Sequence, residues 1–242
     1  MILHTKSPKR MSSVITEKPP GQGDVYENLE TIPLFDENGN PSGFAIGAGR
    51  HIPRPPIEID VFDFTLGEIE IITPTGASEV VGVDGPATVH VFFEGTAEGD
   101  ADDDDGNTRD EVATEMVALS LAGVSSLGPI EVRLNPAIRS TGEIEELVNN
   151  NPGRLDLDPF HPGDAESFFD VYFEIEIATP NGTVILHTES PKRMSSVITE
   201  KPPGQGNVYE NLETIPLFDE NGQPSGFAIG AGRHIPRPPI EI

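Results

Sequence analysis

Ser167-Phe168-Phe169-Asp170-Val171-Tyr172-Phe173-Glu174-Ile175-Glu176-Ile177 puts Phe169, Val171, Phe173, Ile175 and Ile177 on one side of an extended chain, with Asp170, Tyr172, Glu174 and Glu176 on the other. Successive side chains of a strand point to opposite faces, so this alternation describes a strand with one face in a core and one in water. The same period runs through Ile57 to Phe62, Glu68 to Ile72, Val89 to Phe93 and Ile130 to Leu134. Met116 to Leu121, Val184 to His187 and Met194 to Thr199 also read as strands. Ile215 to Phe218 and Phe227 to Ile229 form a hairpin around Asp219-Glu220-Asn221-Gly222, whose Asn-Gly pair suits a tight turn. One segment departs from the pattern. Ser140 with Glu143 makes a capping box, and Ile144, Leu147 and Val148 fall at helical spacing, which predicts a short helix ended by Asn149-Asn150-Asn151-Pro152-Gly153. The expected fold is all-β: an antiparallel β-sandwich of about ten strands per repeat with one short helix.

The repeat is long. Ile2 to Ile59 recurs as Ile185 to Ile242 with three changes: Lys6/Glu189, Asp24/Asn207 and Asn40/Gln223. The resulting period of 183 residues is the size of a whole domain rather than of a solenoid repeat. His51-Ile52-Pro53-Arg54-Pro55-Pro56, repeated at His234 to Pro239, reads as a semi-rigid spacer. On that division residues 1–56 are the C-terminal third of a preceding repeat, residues 57–239 form a complete one, and residues 240–242 start the next. The unique stretch Asp60 to Val184 then has two candidate partners for one place. A strand-rich segment left without its partner presents open edges, so copies of the chain are expected to exchange or add strands and assemble into filaments.

The 41 Asp and Glu against 15 Lys and Arg exclude nucleic acid, whose affinity depends on neutralising phosphates, and disfavour an anionic membrane surface. Cations are the natural partners of such a surface, and self-repulsion keeps it soluble. Without cysteine the chain forms neither disulfides nor a thiolate zinc site. No run of apolar residues is long enough for a membrane helix.

Acids crowd between Glu98 and Glu111. Calcium takes six to eight oxygens, and an Asp-rich turn supplies them, so Asp100, Asp102, Asp104, Asp105, Asp110 and Glu111 are the expected ligands of a calcium ion in a loop between two strands. EF-hand spacing fits imperfectly, since Asp105 stands where the loop glycine belongs and Gly106 follows one place late. Asp156-Leu157-Asp158-Pro159-Phe160-His161-Pro162-Gly163-Asp164 reads as a turn rather than a metal site. No Gly-x-Ser-x-Gly elbow is present and the six histidines are scattered, which argues against an enzyme. Gly43 to Gly49 lacks the lysine and helix of a phosphate loop. Among five lysines, Lys192 and Lys201 flank a strand and could carry an isopeptide cross-link to Asn or Asp, which a nearby carboxyl would promote. Asn181-Gly182-Thr183 fits the sequon for N-glycosylation.

Asp102 to Gly106, Gly142 to Glu146, Leu155 to Phe160 and Ser167 to Phe173 together resemble a tandem-repeat β-sandwich module of long secreted or surface-attached proteins of environmental bacteria. The resemblance implies an extracellular or cell-surface setting and no particular chemistry. The expected function is therefore a calcium-stabilised structural block of a fibre, stalk or adhesin that self-associates. The alternative is a carbohydrate-binding module, which the absence of Trp and the presence of only three Tyr disfavour.

Overall fold

The computed structural model describes residues 3, 5–6, 26–28, 30–47, 49–51 and 57–237. The chain divides into two compact units: residues 1–57 with 93–100, and residues 58–92 with 101–242. The spacer residues 52–56 and 238–239 lie outside the described residues, as do residues 240–242.

In the first unit, β1 (Tyr26–Asn28) pairs antiparallel with β4 (Gly49–His51), and β2 (Ile32–Phe35) with β3 (Pro41–Ile46). The β2–β3 turn is set by Asp36, whose Oδ1 accepts the amides of Asn38 and Asn40, and by Gly39 at φ 80°.

The second unit holds β5 (Ile57–Ile72), β6 (Ser78–Phe92), β7 (Glu111–Ser125), β8 (Gly128–Leu134), β9 (Ser140–Glu146), β10 (Ala165–Val171), β11 (Phe173–Thr179), β12 (Gly182–His187), β13 (Lys192–Ile198), β14 (Tyr209–Asn211), β15 (Ile215–Phe218) and β16 (Pro224–Ile235). All are joined in the order β14-β13-β10-β9-β7-β6-β5-β16-β15-β12-β11-β8, and two further pairings, β14–β16 and β7–β8, close the ends. The long strands β5, β6, β7 and β16 are shared between two layers. β7 pairs with β9 through Glu111 to Met116 and with β8 through Ser120 to Ser125. β16 meets β15 at Ala228 and Ile229 and β14 from Gly232 to His234, with a register shift between. The result is an antiparallel β-sandwich whose layers run into one another. The added pairings join the ends of the order to its middle, so the sheet curls back on itself.

The core is what the alternation predicted. Val91, Val112, Ile175, Ile177, Leu186, Ile198, Leu217 and Ile229 are almost wholly buried, and each such side chain stabilises the fold by roughly 1.5–3 kcal/mol. Phe169 to Ile177, which reads as one strand, is divided at Tyr172 between β10 and β11. β10 pairs with β9 and β13, whereas β11 pairs with β8 and β12, so the chain changes layer there. The Tyr172 carbonyl accepts from the Asn135 amide, and its own amide donates to Ser140 Oγ. The inward period survives the change because both layers surround the same core.

The predicted helix is corrected: Ser140 to Glu146 is strand β9, and the described residues contain no helix. Ser140, Ile144 and Glu146 are buried at even spacing. Gly142 lies so close to β10 that a Cβ there would sit 1.9 Å from the Phe168 carbonyl oxygen. Leu147 and Val148, which completed the helical pattern, are exposed. Packing against β7 and β10 outweighs a capping signal of about 1 kcal/mol.

Candidate functional site

The acidic loop runs from β6 to β7 and is closed by the Glu111 amide donating to the Asp102 carbonyl. Its shape is set by Asp103. Oδ1 of Asp103 accepts the amides of Gly106 and Asn107, and Oδ2 accepts that of Thr108, which stands at φ 76°. Short acidic side chains fold turns in this way, by replacing a backbone acceptor. The loop brings carboxylate oxygens of Asp103, Asp105 and Glu111 within 4.8 Å of one another. Glu111 is only 6% exposed. Its Oε1 accepts the Asp104 amide at 2.8 Å, and its Oε2 is buried with no partner. Burial, with Glu143 and Asp105 nearby, pushes the Glu111 carboxyl above its usual range. Glu143 is raised by burial and by Glu145 and Asp105. Arg109 is held by Glu145 at 2.7 Å.

Of the six expected ligands, Asp105 and Glu111 meet in this cluster, and Asp103 takes the remaining place. Asp100 Oδ2 instead accepts the amides of Thr96 and Ala97, and Asp102 Oδ1 accepts that of Asp103. Asp104 contributes its amide to Glu111 rather than a carboxylate to the cluster. Asp110 is buried, its Oδ2 accepting the amides of Gly153 and Arg154, so it ties two loops together. EF-hand spacing selects alternate residues from Asp100, but it presumes flanking helices. Between strands, the Asp103 turn fixes the register one residue later.

Behind the loop lies a buried acidic network. Glu146, wholly buried, accepts the Asp110 amide with Oε1 and the Asp156 amide with Oε2. Asp156 is equally buried, accepts the Asn150 amide, and lies 2.6 Å from Nδ1 of His161. The turn from Asp156 to Asp164 is thus anchored by its acid.

Among the described residues two lysines are buried. Lys192 Nζ donates to the carbonyls of Gly230, at 2.7 Å, and Glu213, and burial lowers its pKa. Lys201 Nζ lies 2.8 Å from Glu58 Oε2 and 3.1 Å from Asp60 Oδ2. Lys192 also borders an apolar cavity of about 100 Å³, lined among others by Phe62, Val89, Phe169, Tyr209 and His234. Burial holds His234 down to about 4 and Tyr209 up to about 12. Pockets for drug-sized ligands are usually about 300–1,000 Å³, so this space is left over from packing the two layers. An open groove of about 630 Å³ lies where β8 and β9 diverge from β7, with Glu115, Arg133 and Arg139 along it. No aromatic ring lines it, so it lacks a stacking platform for a sugar.

No family model and no curated protein matches the sequence. Among solved structures, the fold is similar to that of DynF from the dynemicin biosynthesis pathway of Micromonospora chersina, with a TM-score of 0.56 and 21% identity over 76% of this chain and 80% of that one. This corrects the expectation that the chain is no enzyme. The fold also occurs in a protein of a biosynthesis pathway, so the lack of a nucleophile motif gives no ground for excluding catalysis.

Proposed function

We propose that the chain is a structural module of a tandem array, of the kind that builds an extracellular fibre, stalk or adhesin, in which each module is completed by the segment that is duplicated here. One observation carries the reading: where both copies are described they repeat the same strand register, yet β3 and β16 differ in burial. β15 and β16 pair at Ile215↔Ile229 and Phe218↔Pro224, and β2 and β3 repeat that register at Ile32↔Ile46 and Phe35↔Pro41. The β14–β16 pair Tyr209↔His234 likewise recurs as Tyr26↔His51. In the second copy β16 is covered by β5, with Ile229 opposite Ile71, and Ile229 is 1% exposed. Its counterpart Ile46 is 44% exposed and Phe44 is 58% exposed.

The described strands of the first copy thus have the register of a closing segment but pair only with one another. The partner of that segment is the unique stretch of a neighbouring module, supplied in cis by a longer array or in trans by another molecule. Fragment complementation tests this. Residues 57–184 alone, lacking the closing segment, are expected to be unfolded, and to gain strand structure when mixed with the 242-residue chain. A fragment that stays unfolded in the mixture under native conditions would overturn the reading.

Calcium belongs to the same proposal, held by Asp103, Asp105 and Glu111. A buried carboxylate oxygen with no partner is costly unless a cation fills the gap, and three carboxylates offer up to six hard oxygens. At 100 times its dissociation constant, calcium is expected to add about 2.7 kcal/mol of stability. In Glu111→Gln the gain is expected to disappear. Raised carboxyls bind protons on folding, so without calcium stability falls as pH rises through their titration. The calcium effect is therefore largest above that range and fades in acid. Calorimetry with calcium and with chelator, at neutral and acidic pH, reads all of this.

A further inference from the structure

We propose that Lys201 and Asp60 form an intramolecular isopeptide bond, with Glu58 carrying the proton. The bond is inferred from the three side chains alone and stands whether or not the module belongs to an array. Glu58 and Asp60 are two residues apart on β5 and therefore share a face. Lys201, between β13 and β14, reaches them from 141 residues along the chain. The lysine side chain is wholly buried and Asp60 is 5% exposed. Nζ lies within hydrogen-bond distance of both carboxyls, and the lysine is further located by its amide, which donates to the Asp158 carbonyl at 2.7 Å.

An amine attacks a carboxyl only when the amine is neutral and the carboxyl protonated. Removal from water favours that pair over the ion pair, because both charges lose hydration. Asp60 follows this logic. Burial raises its pKa above the ordinary value of 3.8, the Lys201 charge opposes the shift, and the adjacent Glu58 carboxyl reinforces it. Two carboxyls facing one amine share the work. Proton transfer from Nζ to Asp60 leaves an amine and a carboxylic acid. The Nζ lone pair then forms a bond to Cγ of Asp60, and the Glu58 carboxylate takes a proton from the nitrogen. Glu58 returns that proton to the departing hydroxyl, which leaves as water. The products are one secondary amide and one water, Glu58 is regenerated, and no oxidant or cofactor takes part.

The bond would staple β5, the opening strand of the module, to the duplicated segment that closes it. The duplication repeats two of the three parts, with Lys18 matching Lys201 and Glu241 matching Glu58, while Asp60 lies in the unique stretch.

Intact mass of the denatured wild-type chain decides the matter. The expected mass is about 18 Da below that of the sequence, one water, with a proteolytic peptide containing Asp60 joined to one containing Lys201. Lys201→Arg and Glu58→Gln are each expected to restore the sequence mass. The unmodified mass in wild type would overturn the proposal. So would a water loss that survives Lys201→Arg or maps to a succinimide at Asp84-Gly85 or Asp105-Gly106.

Discussion

Replacing Glu146 by alanine is expected to lower the unfolding free energy by about 3 kcal/mol and the melting temperature by about 6–12 °C. The carboxylate is completely buried and accepts two backbone amides, from Asp110 at 3.0 Å and Asp156 at 2.9 Å. Water cannot replace it without opening the sheet, and each buried amide left unpaired costs about 1–3 kcal/mol. Relief of its repulsion with Asp110 and Asp156, which together with burial raises the Glu146 pKa, offsets part of that loss. Neighbouring Glu145 supplies the control. It pairs with the half-buried Arg109 and accepts from Asn107 Nδ2, but among the described residues no backbone amide depends on it, and Glu145→Ala should cost about 1 kcal/mol. Urea unfolding with an unchanged slope would assign the difference to the folded state. Equal effects of the two substitutions would mean that Glu146 does not anchor the loops.

Lys201→Met is expected to cost about 3–5 kcal/mol, because it removes a buried cation and leaves Glu58 and Asp60 facing one another. Where Lys201 and Asp60 are joined as an amide there is no ion pair to lose, and the substitution instead frees a loop on the order of 100 residues, at about 4–5 kcal/mol. The deficit depends on pH. In the variant, burial and the neighbouring Glu58 carboxyl hold Asp60 above its usual 3.8, with no lysine charge to oppose them. A carboxyl whose folded pKa exceeds its unfolded value binds protons on folding, so the stability lost is greatest above the folded pKa and shrinks as pH falls towards 3.8. Lys201→Met/Asp60→Leu removes the buried charge altogether and is expected to recover much of the ionic part of the loss. Thermal unfolding of single and double variants across this pH range checks the sign. A deficit that grows in acid would contradict it.

The strands were legible because a half-buried sheet writes its burial into every second residue, as at Ile175, Ile177 and Leu217. The hairpin turn was legible too, since Asp219 and Gly222 act locally: Asp219 Oδ1 accepts the amides of Asn221 and Gln223. What depends on distant neighbours was not. Helical spacing at Ile144 to Val148 is overridden by the close approach of Gly142 to Phe168. The change of layer at Tyr172 leaves the alternation intact and so leaves no mark. In the acidic loop, composition pointed to a cluster but not to its members, because the choice of Asp103 depends on which amides its turn captures. Lys201 could be singled out as one of few lysines, whereas its partners Glu58 and Asp60 are brought to it only by closure of the sandwich.

The repeat makes the same point from the other side, since nearly identical sequences around Ile46 and Ile229 differ in burial, and of the two only Ile229 lies on a strand paired with β5. Amide hydrogen exchange at residues 44–46 and 227–229 tests this most directly, in the 242-residue chain and in a chain extended by a further copy of residues 60–184 joined ahead of Ile2. The tandem account predicts that residues 44–46 exchange fast in the shorter chain and gain the protection of residues 227–229 in the longer one. Unchanged fast exchange at residues 44–46 in the extended chain would contradict it.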